Sequence, residues 1–68
     1  MQNLFEPWLN RPVVLRVATP DVLVPVRGVI VGESTSAVRI RVEDRWDFDV
    51  FKNMIFAVEH DIWPTVPT

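Results

Sequence analysis

The stretch AVRIRVEDRWDFDVF, residues 37–51, decides the fold. From Ala37 to Val42 apolar and polar residues alternate, which is the period of a half-buried strand. Trp46 to Val50 alternate again beyond Glu43-Asp44-Arg45. If Val42 faces Trp46 across that loop, Ile40 faces Phe48 and Val38 faces Val50 on one side of the ribbon. On the other side Arg41 meets Asp47 and Arg39 meets Asp49. One antiparallel register satisfies both faces, and a slip of one residue breaks both. The loop lacks the glycine that such hairpins favour. Arg39 and Arg41 could serve phosphate binding or be neutralised by the facing aspartates. The second reading is favoured, because exposed pairs, though weak, cancel local positive potential.

Strand signals continue on both sides. Thirteen valines and two glycines suit a β protein. PVVLRVA (12–18) alternates Val13, Leu15 and Val17 against Val14, Arg16 and Ala18, and TPD after it is turn chemistry. VLVPVRGVIVGE (22–33) is long for one flat strand. Pro25 lacks an N–H and belongs at an edge or bulge, and Gly28 marks a sharp bend. A long strand bent at a glycine curls a small sheet into a barrel. ESTS is a polar turn. IFAVE (55–59) is apolar on both faces, and as an edge strand it invites pairing with another chain. At the other end, Leu4, Phe5, Trp8 and Leu9 share one face of a short helix over 4–10, with Pro7 in its first turn and Pro12 ending it. That helix is expected to plug one end of the core. The expected architecture is mainly β: a short helix, a five-stranded bent SH3-like barrel over 13–59, and an extended tail over 60–68, all in a single domain, 1–68.

The chain has 68 residues, no cysteine, 49% hydrophobic residues and a net charge of −2. A core this small is marginal alone, and no disulfide or thiolate metal site can support it. Self-association is one remaining source of stability. The charge excludes a broad basic nucleic-acid surface, so any such site is local. No apolar run approaches the roughly 18 residues of a membrane span. MQNLFEPW does not read as a signal peptide, so the default location is cytoplasmic. His60 between Glu59 and Asp61 reads as a polar segment leaving the last strand, since adjacent strand side chains alternate and do not converge on a metal. No nucleophile–base pair or phosphate-cradling glycine loop is visible, so an enzyme, a metal and a cofactor are not expected.

Three segments, in order, resemble the Sm-like family, and within it the Hfq branch of bacterial RNA chaperones. LFEPWLN (4–10) resembles the start of the Hfq helix, L-x-D-P-F-L-N. RGVIVGE (27–33) resembles the second strand, where a glycine precedes x-I-x-x-F-D. VFKNMIFAV (50–58) resembles the second Sm motif in its Hfq form, V-Y-K-H-x-I-x-x-V, and not the eukaryotic R-G-[DN]-N-[IV]. The resemblance implies a homo-oligomeric ring of six subunits, with five or seven also open. Strand five, carrying Ile55, Phe56, Ala57 and Val58, would pair with strand four of the neighbour. Lys52 and Asn53 would form a tight turn lining the central pore, where uridine-rich single-stranded RNA binds. Phe51 matches a tyrosine whose ring belongs to the opposite, purine-binding side. Phe5, Thr35 and Ser36 would be further pore-side contributors.

This chain also departs from the family. Asn53 replaces a histidine and cannot become charged. Phe5 stands for a glutamine, Glu33-Ser34 for F-D, and Thr35-Ser36 for a Q-F pair whose aromatic stacks on a base. Stacking platforms normally carry single-stranded RNA binding. Only Arg11 remains of the basic helix end, and Glu59 and Asp61 add negative charge. Two functions follow: an Sm-like ring that binds single-stranded RNA at its pore turn, and, as the alternative, a protein-interaction or scaffold ring that has lost it. The retained FKN turn favours the first, and the substituted pocket and acidic charge favour the second.

Overall fold

The computed structural model describes residues 4–61. Its body is one five-stranded antiparallel sheet: β1 (Pro12–Ala18), β2 (Leu23–Glu33), β3 (Ala37–Val42), β4 (Trp46–Phe51) and β5 (Ile55–His60), in the spatial order β4-β3-β2-β1-β5. Two three-residue 3-10 turns, Glu6–Trp8 and Lys52–Met54, are the other regular elements of the described residues. No helix among them is long and apolar enough to cross a membrane.

The β3–β4 hairpin has the register expected from its alternation. Val42 faces Trp46, Ile40 faces Phe48 and Val38 faces Val50. Arg41 donates to Asp47 at 2.8 and 3.0 Å, and Arg39 to Asp49 at 2.8 and 3.2 Å. The missing glycine is met by backbone strain instead. Glu43 and Asp44 take φ of 57° and 58° in a turn closed by Arg45 N–H on Val42 O. That left-handed region disfavours residues with a Cβ, Asp less than Glu.

β2 changes partners along its length. Leu23–Val29 pair with β1, and Val29–Glu33 pair with β3, with a register shift between Ile30 and Gly32. Pro25 pairs with Arg16 of β1 and lies in the part of β2 that lacks a β3 partner, the edge-like position that suits a residue without an N–H. Gly28 sits beside the exchange. A Cβ there would run into the Arg41 carbonyl oxygen and come within 2.9 Å of Ile40 Cγ1.

The curl follows from connectivity. β4 and β5 occupy opposite edges, yet only Lys52–Met54 separate them. Four Cα steps reach at most about 15 Å. Five strands laid flat would put the edges about 19 Å apart. The sheet therefore bends until its edges meet at that turn. Inside the bend lie Val13, Leu15, Val17, Ile30, Val38 and Ile40, with Phe5 completing the buried cluster. Trp8, Leu9, Val26, Val50, Ile55 and Val58 pack around it. Fully buried aliphatic side chains each contribute about 1.5–3 kcal/mol. With so few of them, the core must offset the ordering of the whole chain.

The short helix expected over 4–10 is instead the three-residue turn Glu6–Trp8. Leu9 leaves the helical region (φ −60°, ψ 137°) and bridges to Ile30. Asn10 takes φ 63° and donates its N–H to Ile30 O at 2.7 Å. Pairing with the sheet thus outcompetes a helix too short to stand alone. Of the tail expected over 60–68, His60 ends β5 and Asp61 donates its N–H to Pro12 O, while residues 62–68 lie outside the described residues.

Candidate functional site

The candidate site grows from the turn that joins the two sheet edges. Phe51, last of β4, is extended (φ −65°, ψ 135°) and delivers the chain into Lys52–Met54. Lys52 N–H donates to Ser36 O at 2.8 Å, pinning the turn to the β2–β3 connection. Its side chain reaches the same neighbourhood: Lys52 Nζ lies 2.6 Å from Glu33 Oε2. Glu33 also accepts the Phe5 N–H on both carboxylate oxygens, at 3.2 and 3.3 Å. One carboxylate so clasps three segments: the residue before the first turn, the end of β2, and the β4–β5 turn. The Glu33 side chain is only 3% exposed and that of Lys52 19%. A carboxylate so shielded from water needs partners for its oxygens, and the Lys52 ammonium and the Phe5 N–H supply them.

Several residues singled out from the sequence therefore converge. Lys52, Ser36 and the Phe5 backbone meet around Glu33. The Phe5 ring itself is buried in the core. Thr35 and Ser36 are exposed at the β2–β3 connection, and Asn53 is exposed in the turn. Phe51 is 60% exposed and pairs with Ala37, on the face of the hairpin that carries the Arg–Asp pairs. His60, which ends β5, packs its ring against that of Trp8, tilted by 43° with centroids 4.4 Å apart. Sequence reasoning registered Glu33 as a lost aromatic and missed it as a partner for Lys52. The signal was a lone carboxylate at the end of a strand, with no local residue to pair it.

The basic side chains are largely occupied. Besides Lys52–Glu33, Arg16 pairs with Glu59 (3.3 Å), Arg27 with Asp61 (2.9 Å), Arg39 with Asp49 and Arg41 with Asp47. That is five of the seven Lys and Arg residues, and Arg45 stands over the Trp46 ring at 5.6 Å. Hydrogen bonds from Arg41 and Arg39, and then their charge, hold the Asp47 and Asp49 carboxyls below their ordinary range. Little positive potential is left for a polyanion.

The edges offer more. β4 is exposed along most of its length, with Trp46 55% and Phe48 51% exposed. In β5, Ala57 faces Arg16 and Ile55 faces Val17. Phe56 is the extra residue of a bulge, which leaves it 71% exposed. Ile55, Ala57 and Val58 are half-buried, with Ile55 and Val58 packed on the core. A cleft of about 540 Å³ opens on Val17, Val26, Val42, Phe48 and Val50. Among the described residues, no three His, Cys, Asp or Glu side chains are grouped to hold a metal ion. No family model, curated protein or solved structure matches the chain.

Proposed function

We propose that this chain is an Sm-like, ring-forming module, its curled sheet an SH3-like barrel, and that the ring serves as a protein scaffold. Copies join edge to edge, β4 of one against β5 of the next. The observation that carries this reading is the pair of sheet edges, which meet only at Lys52–Met54 and bear the exposed Trp46, Phe48 and Phe56. Main-chain groups along an edge and apolar side chains beside it are both satisfied by a second copy. The small core supports the same reading, because association buries further apolar surface. Light scattering coupled to gel filtration tests it. A multiple of the protomer mass is expected at micromolar concentration, reduced by Phe56→Asp, and a stable monomer refutes the ring.

RNA binding at the turn is the second reading, favoured by the exposed Asn53 and Phe51 flanking Lys52. The clasp on Lys52 weighs against it, since phosphate must compete with Glu33. Fluorescence anisotropy with U-rich and A-rich oligonucleotides at two salt concentrations decides it. Phosphate contact gives binding that falls as salt rises. No binding at low salt by the intact ring leaves the scaffold alone.

A further inference from the structure

We propose that the Glu33–Lys52 ion pair sets the order of the ring by fixing the angle at which β4 and β5 diverge from the turn that joins them. The proposal rests on the ring reading. In a ring built from one repeated head-to-tail contact, the rotation between neighbours is determined by how each copy presents its two binding edges. Here those edges belong to one protomer and meet at a vertex of three residues, Lys52–Met54. Changing the ring from six to seven subunits alters the rotation per subunit only from about 60° to about 51°. A small relaxation at the vertex is therefore enough to change the assembly.

Two contacts tie that vertex to the end of β2 and the β2–β3 connection, beyond the ladder pairs of Phe51 with Ala37 and Ile55 with Val17 on either side of it. The Lys52 N–H binds Ser36 O at 2.8 Å, and the Lys52 ammonium binds Glu33 at 2.6 Å. Between those ladder pairs the backbone bond fixes the turn to the β2–β3 connection at one point. The ion pair supplies the second point, and Glu33 is anchored in turn by the Phe5 N–H. None of the four other ion pairs among the described residues is as enclosed: their side chains are 36–57% exposed, except Asp61 at 17%, whose partner Arg27 is 51% exposed. The enclosed pair is thus at the position where the geometry of the two edges is decided.

Native mass spectrometry of the full chain tests this with Glu33→Gln, Lys52→Met and the two combined. The expected result is one mass for the wild type, and for each variant a spread over masses one protomer apart, with the circular dichroism of the sheet retained. The combined variant leaves no unpaired enclosed charge, so it separates loss of the clasp from loss of the fold. Arg39→Gln with Asp49→Asn, which removes an exposed pair, is expected to keep the wild-type mass. Folded variants that keep a single wild-type mass overturn the proposal, as does an equal spread in the exposed-pair control. A monomeric wild type removes the ring reading and the proposal with it, whereas an intact wild-type ring with unchanged variants removes the proposal alone.

Discussion

Replacing Lys52 by Met takes the charged partner from a carboxylate that is 3% exposed. Two limits bracket the cost. Exposed ion pairs are worth about 0–1 kcal/mol. Removing one member of a fully buried pair costs about 3–5 kcal/mol. Glu33 falls between them, since it keeps the Phe5 N–H after Lys52 is gone. A cost of about 2 kcal/mol is expected, by interpolation between those limits. Glu33→Gln costs less, about 1 kcal/mol, because the neutral amide still accepts the Phe5 N–H and the freed lysine turns to water. The double variant strands no charge and is expected to lose about 1.5 kcal/mol, so the coupling is about 1.5 kcal/mol. A chain of this size is stable by roughly 3–10 kcal/mol. The single lysine substitution then lowers Tm by about 10 °C. Urea unfolding followed by tryptophan fluorescence measures the cycle, at one protomer concentration throughout because association shifts apparent stability. A coupling under about 0.3 kcal/mol, within the error of additivity, would refute the clasp as a structural element.

Gly28→Ala is expected to cost about 1–3 kcal/mol or more by overpacking, because its methyl meets a rigid carbonyl of β3, and thermal denaturation measures the loss. Glu43→Asn with Asp44→Gly relieves two left-handed residues and is expected to stabilise by about 1 kcal/mol, and an unchanged urea midpoint contradicts it. The Asp47 and Asp49 carboxyls are held below their ordinary pKa of 3.8. A depressed folded pKa gives stability that is fully present above the unfolded value and is lost as pH falls through the folded one. Acid titration of unfolding free energy is thus expected to show a loss setting in below pH 3.8 that Asp47→Asn with Asp49→Asn diminishes, and an identical acid limb in that variant contradicts the pairing.

The β3–β4 hairpin was legible because its information is local: period-two alternation and opposite charges six and ten residues apart leave one register. Gly28 was legible as a position where no side chain fits, and in the structure the Arg41 carbonyl occupies that space. The first segment was not. The spacing of Leu4, Phe5, Trp8 and Leu9 suits a helix, and also suits a single turn whose ends are pulled into the sheet. What decided between them was the pairing of Leu9 and Asn10 with Ile30, a contact about twenty residues away in the chain. The clasp was illegible for the same reason: Glu33 and Lys52 lie in different hairpins and meet only when the sheet curls.

The proposed edge-to-edge pairing is tested most directly by amide hydrogen exchange, resolved residue by residue, on the wild-type protein. The N–H groups of β4 and β5 that point away from β3 and β1 have no ladder partner among the described residues. Pairing between copies predicts that they exchange as slowly as the amides of β1 between its two neighbours. Exchange of these edge amides as fast as that of the Glu43–Arg45 turn, at micromolar protomer concentration, would contradict it.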